Sequence, residues 1–137
     1  MSKSHSDPRS RILITDSADE IQRKIMSALT DSTNSVSYEP ENRPGVSNLL
    51  QLMSNFDVQG RSPEELGKTY SDVNLRTFKT KVSETIAESL SPIRMRYAEL
   101  IAEDDGAYID YVEKQGAMKA RESAEATMVV VREAVGL

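Results

Sequence analysis

The chain has 137 residues, of which 28% are charged, and a formal net charge of -5. That length supports one core rather than two, the net charge repels nucleic acid so that any RNA partner must meet a local basic patch, and the absence of cysteine excludes disulfides and thiolate metal sites. No apolar run approaches the roughly 18 residues of a membrane span, no apolar signal region opens the chain, and the lone His5 cannot build a metal site without partners.

Residues 1–10 are polar, include Pro8 and predict a flexible loop. The apolar run Arg11-Ile12-Leu13-Ile14-Thr15 is too short for a helix and predicts a single strand or an extended lead-in. Ser17 with Glu20 three residues on forms a capping box, and Asp19 and Glu20 suit the positive end of a helix dipole. Ile21, Ile25, Ala28 and Leu29 follow at helical spacing and predict a first helix over 18–29 with one buried face. Residues 30–44 carry two prolines and almost no apolar side chains, a loop of about 15 residues, and loops that long are usually functional or mobile.

Val46, Leu49, Leu50, Met53 and Phe56 mark a second amphipathic helix. Ser62-Pro63-Glu64-Glu65 opens a short helix to about Tyr70, with proline at the first helical position and Glu65 closing a second capping box. Asn74 caps the longest predicted helix, about 75–103, whose stripe runs from Leu75 and Phe78 through Leu90 to Ile93, Tyr97 and Ile101; Pro92 should kink it or divide it at Ser91. Tyr108, Ile109 and Val112 predict a short helix stopped at Gly116, and a last helix over 117–135 closes at Gly136. Its small residues Ala117, Ala120 and Ala124 favour close helix approach, with Met128, Val131 and Val135 completing the face. Met53, Tyr97 and Met128 read most simply as core. The sum is an all-α fold, a helical bundle of five or six helices preceded by a flexible loop and a short extended segment.

The opening Met1-Ser2-Lys3-Ser4 sets an ammonium between two hydroxyls, which suits the pyrophosphate of a nucleotide; a frayed terminus is the plain alternative. Downstream come Asp7-Pro8, Ser10-Arg11-Ile12, Thr15-Asp16-Ser17, Lys24-Ile25, Thr30-Asp31-Ser32 and Arg43-Pro44-Gly45-Val46-Ser47-Asn48-Leu49-Leu50, and the chain ends in Ala134-Val135-Gly136-Leu137. In this order and spacing the chain resembles the C-terminal part of the tryptophanyl-tRNA synthetases of bacterial and mitochondrial type.

The resemblance implies a parent class I enzyme, generally a homodimer, that activates tryptophan with ATP and Mg2+ and charges the tRNA for tryptophan. Met1, Ser2, Lys3 and Ser4 match the last four letters of its KMSKS loop and are the ATP-binding candidates, with Lys3 as the catalytic point charge that stabilises the departing pyrophosphate. The loop's first lysine would precede Met1, and His5 stands where the family more often has an acidic residue. The nucleotide-binding domain would also lie N-terminal to Met1, so the isolated chain is expected to form no tryptophanyl-adenylate and to carry no cofactor.

On this reading residues 1–16 are the loop remnant and lead-in, and residues 17–137 the helical domain that contacts the anticodon arm. The candidates for that contact are Arg76, Lys79, Arg94, Arg96, Lys114, Lys119 and Arg121, each of which could equally be a solvated surface cation. Tyr38 reads as a loop anchor ahead of a tRNA contact. Arg43 pairs with Asp31 or Glu41 or stands exposed, Gly45 lets the backbone pass closely, and Asn48 hydrogen-bonds the loop. Residues 10–17 are closest to mitochondrial forms, which implies the mitochondrial matrix, with the cytoplasm of a bacterium as the alternative. A different class of function also fits: a free-standing helical interaction module, exposing an apolar patch at residues 12–14 and part of the first helix.

Overall fold

Both capping boxes form as the sequence spacing requires. Glu20 N–H donates to Ser17 Oγ at 3.3 Å while Glu20 accepts from Ser17 N–H at 2.8 Å, and Ser62 and Glu65 repeat the exchange at 3.2 and 2.8 Å. They open α1 (Ala18–Ser27) and α3 (Pro63–Thr69). Between them lies α2 (Pro44–Phe56), and α4 (Leu75–Ala102) and α5 (Ala107–Val135) follow. The structure, a computed structural model, describes residues 7–136 apart from the side chains of Asp104 and Asp105.

Short 3-10 turns occupy Pro8–Ser10 and Glu103–Gly106. The first replaces part of the flexible loop expected over residues 1–10: Asp7 accepts from Arg9 N–H at 2.9 Å and caps it. The mobility expected for the opening residues otherwise concerns positions 1–6, which lie outside the described residues. No strand occurs among the described residues. The apolar run is extended at Arg11 and then closes into a turn, Asp16 N–H donating to Leu13 O at 3.1 Å.

The chain forms two compact units, one reaching to Arg94 and one starting at Met95. The first holds the core. Ile21 and Ile25 of α1, Val46, Leu49, Leu50 and Met53 of α2, Leu66 of α3 and Phe78, Val82, Ile86 and Leu90 of α4 are buried together with Val36 of the long loop. Tyr70 lies against Phe78, ring centroids 5.7 Å apart.

Four expectations are corrected. α1 ends at Ser27, because Ala28 leaves the helix at ψ 133°, and Leu29 is 90% exposed rather than on the buried face. Of the two outcomes expected at Pro92, a kink or a division at Ser91, the division does not occur and α4 runs through the proline; the carbonyl it frees belongs to Glu88, which lies on the exposed side of the helix. Gly116 does not stop a helix, and α5 runs through it, since one interior glycine costs only about 1 kcal/mol against the good helix formers that follow. Tyr97 and Met128 are not core: they are 44% and 43% exposed, and α5 buries none of its residues. Met53, by contrast, is core as expected, at 2% exposure.

Candidate nucleic-acid interface

The loop from Ala28 to Arg43 has no regular structure of its own, so its backbone polar groups need partners. Arg43 supplies them from the residue just before α2, where Pro44 opens the helix. Its guanidinium donates through Nε and Nη2 to the two oxygens of Asp31 at 3.0 Å each, through Nη1 to Ser37 Oγ at 2.8 Å, and through Nη2 to the carbonyls of Thr33 and Ser35 at 3.0 and 2.9 Å. Of the partners left open by the sequence, Asp31 is therefore the one chosen. The Arg43 fork, helped by Thr33 N–H, holds the Asp31 carboxyl down at about 2.

Three more contacts fix the loop. Tyr38 is anchored, its hydroxyl accepting from Gln51 Nε2 at 2.9 Å. Ser47, rather than the exposed Asn48, fastens the loop backbone by accepting from Glu39 N–H at 2.9 Å. Asn34 Oδ1 accepts from Leu75 N–H at 3.1 Å, tying the loop to the first turn of α4, which Asn74 caps through Thr77 N–H. Gly45 meets the loop most closely: a Cβ there would stand 2.3 Å from Leu29 O. A glycine is the residue that lets these two backbones touch.

The seven basic candidates separate by environment. Lys79 is 8% exposed and faces inward, its ammonium donating to Ala28 O at 2.7 Å and Met26 O at 3.4 Å, the carbonyls freed where α1 ends. Burial lowers its pKa. Arg94 donates through Nη1 to Asp16 O at 3.0 Å. Arg76 is exposed beside the α4 cap. In the second unit Arg96 pairs with Glu99 at 3.1 Å on the surface, and Lys114, Lys119 and Arg121 are exposed along α5. Lys114 and Arg121, two turns apart, share one side of that helix at a separation of about 10 Å.

Sequence reasoning missed the part of Asp16. It is 6% exposed, accepts from Leu13 N–H at 2.8 Å and from Lys24 Nζ, and offers its carbonyl to Arg94, so one residue joins the lead-in, α1 and α4. The Asp16–Lys24 spacing of two helical turns was the available signal. Met1, Ser2, Lys3 and Ser4 lie outside the described residues. Among the described residues no cluster of His, Asp and Glu could hold a metal ion, and no helix is long and apolar enough to cross a membrane.

Residues 1–91 match the family described as tRNA synthetases class I (W and Y). The whole chain aligns with tryptophan–tRNA ligases of Enterococcus faecalis (36% identical, 39% of that protein covered), Bacillus subtilis (35%, 40% covered) and Wolinella succinogenes (38%, 40% covered). The chain thus spans about 40% of the length of the curated relatives it matches. The crystal structure of tryptophanyl-tRNA synthetase from Mycoplasma pneumoniae superposes with a TM-score of 0.67 over all of this chain and 40% of that one, at 22% identity. That likeness establishes the shared fold.

Proposed function

The chain belongs to the class I tRNA synthetases of the W and Y group, and we propose that it is the C-terminal portion of a tryptophan–tRNA ligase. The observation that carries this reading is the alignment of the full length of the chain with tryptophan–tRNA ligases at 35–38% identity. The parent activates tryptophan with ATP, accompanied by Mg2+, and transfers it to its tRNA, working as a homodimer. Met1, Ser2, Lys3 and Ser4 contact the ATP phosphates there, Lys3 offsetting the negative charge that develops on the departing pyrophosphate.

The helical part contacts the tRNA through Arg76, Arg96, Lys114, Lys119 and Arg121, whose side chains face solvent. Lys79 and Arg94 act at one remove: their donors hold the end of α1 and the turn before it, and so position the surface that carries Arg76. The mitochondrial matrix rests on residues 10–17 alone; the relatives named above are bacterial. The reading is tested by retention of tRNA on the purified chain. Several-fold tighter retention of the tRNA for tryptophan than of an unrelated tRNA supports it, and equal retention that vanishes at about 150 mM salt overturns it.

A second reading, a helical module that binds another protein, is favoured by one observation: Leu13 and Ile14 are about half exposed and Leu29 is 90% exposed. A pull-down in which the intact synthetase's N-terminal portion competes for that patch separates it from the first.

A further inference from the structure

We propose that α4 is jointed at Pro92 and that Arg94 is the latch of the joint. The helix is held differently on the two sides of the proline. Before it, Phe78, Val82, Ile86 and Leu90 enter the core at helical spacing, and Lys79 is tied to the end of α1. After it the same stripe continues through Ile93, Tyr97 and Ile101, each about half exposed. The first compact unit ends at Arg94 and the second begins at Met95, inside one continuous helix.

The proline weakens the resistance that a helix normally offers at such a boundary. It has no N–H to give the Glu88 carbonyl, and its ring crowds that carbonyl. Glu88 and Pro92 are both exposed, so the carbonyl can turn to water as the helix opens and the bend leaves no buried group unpaired. Two residues on, Arg94 Nη1 donates to Asp16 O at 3.0 Å, while the Asp16 carboxylate accepts from Leu13 N–H and Lys24 Nζ. Arg94 therefore ties the far side of the proline to the lead-in and α1 through a neutral carbonyl, a contact that can break and re-form. Bending at Pro92 changes the span between Arg76, on the held part of α4, and Lys114 and Arg121 on α5, so that the basic surface adjusts to the RNA it meets. That consequence rests on the proposed function, whereas the joint itself does not.

The chain has no cysteine, so pairs of spin labels can be placed on introduced ones. Val58→Cys with Ala102→Cys spans the joint, and Val58→Cys with Ser89→Cys stops short of it; all three positions are exposed. The helix from Pro92 to Ala102 is a lever of about 15 Å, and a bend of about 20° displaces its end by about 5 Å. Double electron–electron resonance on the intact chain should therefore give a distance distribution for 58 and 102 about 5 Å broader than that for 58 and 89. Pro92→Ala should narrow the broad distribution to the reference width, and Arg94→Ala should broaden it further. Arg94→Lys, which can still donate to Asp16 O, should restore the parent's width, with circular dichroism establishing that each variant is folded. A 58–102 distribution as narrow as the 58–89 one, one that Pro92→Ala leaves broad, or one that Arg94→Ala leaves as it was overturns the proposal. No RNA enters the measurement, so its failure leaves the tRNA contacts untouched, and failure of those contacts leaves the joint standing.

Discussion

Arg43 and Asp31 stand twelve residues apart in the chain and meet as a two-pronged fork, Nε and Nη2 each 3.0 Å from a carboxylate oxygen. The pair closes the long loop at its two ends, and the remaining Arg43 donors take up carbonyls that the loop cannot satisfy itself. Geometry rather than charge alone makes this work, since a lysine offers no planar fork and too few directed donors. Arg43→Ala should therefore lower the thermal midpoint by about 10 °C, and Arg43→Lys should recover little of it, as read by circular dichroism. Recovery of most of the midpoint by lysine would show that charge suffices.

The acid limb of stability follows from two carboxylates. Arg43 holds Asp31 at about 2, and Arg61, donating from its side chain and its backbone N–H, holds Asp57 at about 2. Both values lie below those of the unfolded chain, near 3.9. The stabilisation is therefore complete above about pH 4 and is lost as the pH falls through about 2. Asp31→Asn should be less stable than the parent at neutral pH and show a flatter dependence between pH 4 and pH 2 in urea titrations. A parallel displacement with unchanged slope would contradict the assignment.

Two glycines should respond in opposite directions to alanine. Gly45→Ala puts a methyl 2.3 Å from Leu29 O, which is backbone and held by the loop, so the variant should be strongly destabilised. Gly116 sits in the interior of α5 with open space around it, and Gly116→Ala should stabilise by about 0.5–1 kcal/mol. Chemical denaturation of the two variants under one set of conditions checks both signs.

Lys79 joins α4 to the end of α1. Lys79→Met keeps the apolar stem but leaves the Met26 and Ala28 carbonyls without their donor, at a cost of about 1–3 kcal/mol. Arg76→Ala, three residues away on the exposed face, should leave stability within about 0.5 kcal/mol of the parent. Equal effects of the two substitutions in denaturation would contradict the inward role of Lys79.

Local signals were the legible ones. Ser17 with Glu20, Ser62 with Glu65 and Asn74 before Leu75 each announce a helix start through side chains that must bond nearby backbone, and each does so in the structure. Periodicity also placed Met53 and Phe78 inside. It failed where burial depends on what lies opposite: the stripe of α4 reads the same at Leu90 as at Tyr97, yet only the first has a core to enter. The site shows the same division. The Gly45 contact follows from a residue type, whereas the inward turn of Lys79 and the hub at Asp16 depend on which part of the chain arrives beside them, 51 and 78 residues away in sequence.

We propose that the exposed cations of the helical region give this chain selective affinity for the tRNA of tryptophan. The most direct measurement is a salt titration of that affinity for the parent and for the triple variant Arg76→Ala, Lys114→Ala, Arg121→Ala. The parent should prefer this tRNA over an unrelated one, and the triple variant should bind at least tenfold more weakly, with a salt slope shallower by about 2. Unchanged affinity and slope in a folded triple variant would contradict it.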